Sequence, residues 1–168
     1  GFHGLSKLGL LLQTNKINNK NKKLSQSLID QSLKAFSRPK PQLETLRKII
    51  FSQKNNETKH IGCTDSSDGF YQAILDLAVE SQCQAIIDYK KIPKSELWPK
   101  SNKWDKYYFF GGEDYELLFS LPRPWADNLL KIDKNSTEIG YFLEGIPEVE
   151  IKNCPNINIT KNNSYKHF

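Results

Sequence analysis

The sequence has no methionine and only three cysteines in 168 residues. Cys63, Cys83 and Cys154 are too few and too irregularly spaced for a disulfide framework or a zinc-binding set, so a reducing, cytoplasmic setting is expected. No apolar run approaches the length of a membrane-spanning helix, so no membrane partner is expected. The opening GFHGLSKLGLLL carries an apolar patch without the basic leader or small-residue cleavage site of a secretory signal. No internal repeat is found. With Gly1 at its start and no methionine, the chain reads as a piece of a longer protein, removal of an initiator methionine being the other reading.

What is present suits a folded domain. The 38% of hydrophobic and 11% of aromatic residues can fill a core, and the charged fraction of 26% does not indicate disorder. A formal net charge of +5 favours an anionic partner. An excess this small, without aromatic and basic residues interleaved, does not make a nucleic-acid binder, and no nucleic acid is expected as partner.

Apolar periodicity predicts a helix beginning near Leu8 to Leu12, then a polar, lysine-rich joint over Thr14 to Lys23. A second helix is predicted over Leu24 to Phe36, stopped by Arg38-Pro39-Lys40-Pro41, because proline cannot continue the hydrogen-bond ladder. A third is predicted from Gln42 to Phe51, with Leu43, Leu46, Ile49 and Ile50 on or near one face. Phe70 to Gln82 has helical spacing, and Ala85 to Tyr89 reads as a short buried strand. Further strands are expected at Glu116 to Leu121, Ile139 to Leu143 and Val149 to Ile151, with a short helix at Trp125 to Ile132. The class is mixed α and β.

Two acidic, glycine-bearing loops stand out. Thr64-Asp65-Ser66-Ser67-Asp68-Gly69-Phe70 sets two carboxylates and two hydroxyls before a predicted helix. Ser67 or Asp68 as a helix cap is one reading. The other is a magnesium and phosphate site, since like charges in one loop repel and a divalent cation relieves them. The second loop, Phe110-Gly111-Gly112-Glu113-Asp114-Tyr115-Glu116, allows a tight turn and close approach of a ligand to the backbone. It reads equally as a glycine bulge joining two strands with solvated acids.

TDSSDGF followed by FGGEDYELLFSLP resembles the thiamine-monophosphate kinase family, which pairs a D-x-S-D-G loop with a G-G-[DE]-D-Y-E-L-x-F segment further along. Gly4 to Leu12 looks like that family's glycine-containing entry to its C-terminal domain. Arg38 to Pro41 resembles its R-P-x-P turn, and Tyr165-Lys166-His167-Phe168 its aromatic–x–His–Phe ending. The match covers the whole chain but only the C-terminal half of the family's protein.

The resemblance implies a single α/β (α+β) C-terminal domain over residues 1–168, with a mixed sheet flanked by helices. Its fold would be that of the aminoimidazole-ribonucleotide synthetases and selenophosphate synthetases. It further implies a homodimeric parent that phosphorylates thiamine monophosphate to thiamine diphosphate with ATP and Mg2+, and a fragment inactive alone. Carried over by residue, Asp65 and Asp68 would ligate magnesium, Asp68 being the catalytic position, and Ser67 would contact the ATP phosphates. Glu113 would meet thiamine phosphate near its aminopyrimidine, with Tyr165 or Phe168 packing against the thiamine rings. The family's R-P-x-P-R turn ends here in Gln42, so Lys40 or Arg38 would take over any phosphate contact. Ser66 replaces a usual hydrophobic residue.

Other readings are a related ATP-dependent enzyme of selenophosphate synthetase or hydrogenase-maturation type, and a non-catalytic ligand-binding module of the same fold. His3, His60 and His167 are scattered and read as surface or capping residues. Trp98, Trp104 and Trp125 read as packing residues, and Lys103 and Lys106 as part of a solvated loop.

Overall fold

The computed structural model describes residues 1–17, 24–53 and 61–154. Helix α1 (Leu5–Gln13) lies against α2 (Gln26–Ser37) in the most extensive helix–helix contact of the protein. The Ser25 side chain caps α2 by accepting a hydrogen bond from the Leu28 backbone N–H at 3.2 Å. The close approach of the two helices requires Gly9, because a methyl group there would sit 2.1 Å from the Ser32 carbonyl oxygen. Helix α3 (Leu43–Ser52) follows the proline turn.

Strand β1 (Gly62–Asp65) leads into α4 (Phe70–Glu80), the most buried helix, whose Phe70, Ala73, Ile74 and Ala78 are almost fully enclosed. Strand β2 (Cys83–Asp88) follows, then a one-turn 3-10 helix (Tyr89–Lys91) and α5 (Asn102–Phe110). Strand β3 (Leu117–Ser120), α6 (Arg123–Ile132), β4 (Gly140–Glu144) and β5 (Val149–Lys152) complete the described chain.

The strands form two sheets. In the larger, β2 lies between β4, to which it is antiparallel, and β5, to which it is parallel. Ala85, Ile86 and Ile87 are buried in succession, as befits a strand covered on both faces. The smaller sheet is an antiparallel ribbon of β1 and β3, running from Gly62 opposite Ser120 to Asp65 opposite Leu117.

The main core joins α1, α2, α4, α5 and β2 through Leu8, Leu28, Phe70, Ile74, Ala85, Ile87 and Phe109. A satellite core gathers Ile49, Trp125 and Leu129. There the Trp125 indole donates to the Ile49 carbonyl at 2.9 Å and to Ser52 Oγ at 2.7 Å.

Several expectations change. Tyr107 to Phe110 ends a helix with Gly111 as its C-cap, so the glycine loop does not join two strands. Lys106 stands exposed on that helix rather than in a loop. Of the apolar residues expected on one face of α3 only Ile49 is buried, while Leu43, Leu46 and Ile50 are exposed, because the helix touches α6 along a narrow line. His3 is buried, its ring 4.5 Å from that of Phe70 and 5.8 Å from that of Tyr108. The three tryptophans are packing residues as expected, each less than a tenth exposed.

Candidate functional site

Antiparallel pairing of β1 with β3 sets the end of one strand beside the start of the other, so the two acidic loops meet at one end of the ribbon. The Ser66 N–H donates to the Glu116 carbonyl at 2.9 Å, and the Glu116 N–H donates back to Ser66 Oγ at 3.1 Å. The Glu113 N–H donates to the Ser67 carbonyl at 2.8 Å. Ser66 is fully buried, so its hydroxyl satisfies a backbone donor that an apolar side chain would leave to other partners.

Within the first loop Asp65 Oδ1 accepts from the Ser67 N–H at 2.9 Å, and the Gly69 N–H donates to the Ser66 carbonyl at 3.1 Å. Gly69, rather than Ser67 or Asp68, is the N-cap of α4. Gly69 has φ 100°, a region L side chains rarely adopt, and a methyl group on it would meet the Gly111 carbonyl oxygen at 3.4 Å. The helix-cap reading is therefore replaced by a turn that leaves both Asp65 and Asp68 exposed.

The second loop is held in an unusual backbone. Glu113 and Tyr115, neither of them glycine, have φ of 70° and 52°. Such conformations cost of the order of 1 kcal/mol or more each and persist where surrounding contacts over-determine them. The contacts here include the Glu113 and Glu116 N–H bonds to the first loop and the carboxylate of Asp114. Asp114 turns inward, accepting from the Gly4 N–H at 2.6 Å and the Ser6 N–H at 3.0 Å, and so serves as a distant cap for α1. Burial pushes this carboxyl up to about 7, against the lowering effect of both backbone donors.

Tyr115 marks where the acids converge. Its hydroxyl donates to Glu113 Oε2 at 2.8 Å, and its pKa is raised by that bond, then by burial and the nearby Glu113, Asp65 and Asp68 carboxylates. Cys63, at the base of the first loop, has its thiol raised by burial and then by Asp65, which disfavours the nucleophilic thiolate.

Of the residues singled out from the sequence, Asp65, Ser67, Asp68 and Glu113 are thus brought to one face. Tyr165 and Phe168, like His60 and His167, lie outside the described residues. Arg38 and Lys40 line a cleft of about 330 Å³ with Lys34, Gln42, Asp114 and Glu116. Among the described residues no group of three or more His, Cys, Asp or Glu side chains is arranged to hold a metal. Two exposed carboxylates of one loop supply hard oxygen donors, which fits magnesium bound jointly with phosphate oxygens rather than in a cage made only of protein. The structural parts of Ser66 and Asp114 were not foreseen; position beside the acids was the only signal for either.

Fold and site together define a mixed α/β domain that presents a carboxylate-lined face at one end of a two-stranded ribbon. The chain is a homologue of thiamine-monophosphate kinases over its full length, as the motifs suggested. It is 33% identical to that of Prochlorococcus marinus over 168 residues, all of this chain and 50% of the relative. It is 29% identical to that of Synechococcus elongatus, again over 100% of this chain and 50% of the relative. The chain spans about half the length of the curated relatives it matches.

Among solved structures, AaThiL complexed with AMPPCP and TMP superposes with a TM-score of 0.70 at 25% identity, over 100% of this chain and 49% of that one. The Stenotrophomonas maltophilia thiamine-monophosphate kinase shares the fold, with a TM-score of 0.70 at 20% identity over 90% of this chain and 48% of that one. No protein-family model matches the chain. Among the described residues no helix is long and apolar enough to cross a membrane.

Proposed function

We propose that this chain is the C-terminal domain of a thiamine-monophosphate kinase. Together with the rest of its subunit, it transfers the γ-phosphoryl group of ATP to the phosphate of thiamine monophosphate, forming thiamine diphosphate. The observation that carries this reading is the β1–β3 pairing, which brings Asp65, Ser67, Asp68 and Glu113 together in a chain homologous to such kinases. The relative AaThiL has been solved with AMPPCP and TMP, which supports an ATP-like and a thiamine-phosphate ligand for this face.

Phosphoryl transfer of this kind rests on positioning and charge neutralisation. Asp65 and Asp68 would hold Mg2+, which when bound offsets the negative charge gathering on the transferring phosphoryl group. Ser67, fixed through its backbone to both loops, presents its hydroxyl to the nucleotide phosphates. Glu113, oriented by the Tyr115 hydroxyl, faces the thiamine acceptor and accepts hydrogen bonds from it. Tyr165 or Phe168 would pack against the thiamine rings. The parent is a cytoplasmic homodimer, and the 168-residue chain alone has no kinase activity, since one domain supplies only part of the site.

The test is an assay of ATP- and magnesium-dependent conversion of thiamine monophosphate to thiamine diphosphate by the full-length subunit. Asp68→Asn should lower turnover about a hundredfold or more, the scale on which loss of a charge-stabilising group acts. A folded full-length protein without this activity, or a fully active Asp68→Asn variant, would refute the proposal. Turnover by the isolated chain would refute its inactivity.

A further inference from the structure

The second acidic loop rests on the first turn of α1. The Asp114 carboxylate commits both of its oxygens there, accepting from the Gly4 N–H at 2.6 Å and from the Ser6 N–H at 3.0 Å. Such donors at a helix start lack intrahelical partners, and the N-cap, Gly4, has no side chain to serve them. Gly111, where the loop begins, meets the same turn: a methyl group built on it would be 2.7 Å from Lys7 Cβ. Helix α1 is itself fixed, by the fully enclosed Leu8 and by the close approach of Gly9 to the Ser32 carbonyl. On its other side the loop is bonded to the first loop, through the Glu113 N–H to the Ser67 carbonyl at 2.8 Å and the Glu116 N–H to Ser66 Oγ at 3.1 Å. Asp114 ties down the middle, between two left-handed residues, Glu113 at φ 70° and Tyr115 at φ 52°.

We infer that Asp114 is a positioning residue: its two-oxygen clamp on α1 sets Glu113 in the place from which it meets the acceptor. The inference rests on the function proposed above. Both Asp114 oxygens are taken by α1, so the residue acts through Glu113 and not on the ligand. Left-handed backbone at residues other than glycine persists only where its surroundings hold it. Released at Asp114, the loop relaxes toward negative φ and swings the Glu113 carboxylate out of its 2.8 Å bond with the Tyr115 hydroxyl. Asparagine has nearly the shape of aspartate but presents an amide N–H to one of the two donors, so it opens half of the clamp. The nucleotide side is spared, because the first loop closes its own turn through Asp65 Oδ1 with the Ser67 N–H and through the Ser66 carbonyl with the Gly69 N–H.

The experiment uses the full-length subunit at about pH 8, above the point at which this carboxyl titrates. Steady-state kinetics compare the parent with Asp114→Asn, Glu113→Gln and the double variant, with melting temperature as the check on folding. In Asp114→Asn, KM for thiamine monophosphate should rise about tenfold or more, the scale of a hydrogen bond to a charged group, with KM for ATP unchanged. In the Glu113→Gln background the same substitution should add at most about a twofold rise, because a residue that acts through Glu113 has nothing left to position. Ser6→Ala removes a hydroxyl that also bonds the Asp114 carboxylate. It should raise the same KM by a smaller factor, again lost in the Glu113→Gln background, and it carries the test should Asp114→Asn not fold.

An unchanged KM for thiamine monophosphate in the folded Asp114→Asn protein overturns the inference. So does an equal rise in both KM values, or a fall in turnover alone, which would mean that Asp114 only supports the fold. Full additivity with Glu113→Gln also overturns it, since Asp114 would then act independently of Glu113. Absence of turnover in the parent itself would instead overturn the proposed function, and the inference would fall with it.

Discussion

Replacing Asp114 with asparagine should produce a stability change whose sign depends on pH. The carboxyl is buried against the first turn of α1 and its pKa is pushed from 3.8 up to about 7 by loss of hydration. A carboxyl raised in the folded state contributes stability that is complete below its unfolded pKa and lost as the pH rises through its folded value. The window here runs from 3.8 to about 7, and a shift of that size corresponds to about 4 kcal/mol. Asparagine keeps one oxygen for the Gly4 or Ser6 N–H but turns an amide N–H toward the other, a loss of about 1–2 kcal/mol that does not vary with pH.

Urea unfolding of the chain and of Asp114→Asn at a series of pH values from 4 to 8 reads the difference directly. The wild type should be the more stable at acid pH. The difference should then move by about 4 kcal/mol in favour of the variant by pH 8, once the offset from the amide is subtracted. If the carboxylate instead acts as an ordinary charged cap, the wild type gains on the variant as pH rises. A flat or oppositely sloped difference would refute the argument from burial.

Two further outcomes follow from the same region. His3→Phe should flatten acid sensitivity: burial lowers the imidazole from 6.5 to about 3, so its contribution is complete above pH 6.5 and lost as the pH falls. Relative to their difference at pH 7, the variant should gain about 3 kcal/mol on the wild type by pH 4 in urea titrations; equal slopes would contradict the assignment. Gly9→Ala, which in an ordinary helix adds roughly 0.5–1 kcal/mol of stability, should here destabilise by about 1–3 kcal/mol. The added methyl would meet the Ser32 backbone at 2.1 Å, and a rise in melting temperature would show that the two helices can separate without cost.

The helices at Gln26–Ser37, Leu43–Ser52 and Phe70–Glu80 were legible because apolar residues recur at helical spacing between proline, glycine and polar breaks. Strand β1 was not legible: Gly62-Cys63-Thr64-Asp65 is short, half exposed and poor in β-branched residues, and it is a strand only because β3 lies beside it. Helix α5 was hidden for the opposite reason. Its aromatic run over Tyr107 to Phe110 shows no polar face, since most of it faces the core. The exposed residues of α3 show the same limit, because periodicity reports which face is apolar and not whether anything covers it.

In the site, Asp65, Ser67, Asp68 and Glu113 were identifiable from residue type and motif alone. By itself the sequence determined the mixed α/β class, most element positions and the chemistry on offer, because backbone preference, apolar period and carboxylate charge are properties of neighbouring residues. The tertiary structure decided which groups meet: Ser66 with Glu116 across 50 positions, Asp114 with Gly4 across 110, and Lys7 with the Gly111 loop. Those partnerships depend on strand pairing and helix docking, and they turned one acid of the GGEDY loop onto the first turn of α1 as a cap and left the other against the Tyr115 hydroxyl. Local sequence carries no record of that choice, because Glu113 and Asp114 differ by one methylene and by what the rest of the chain places around them.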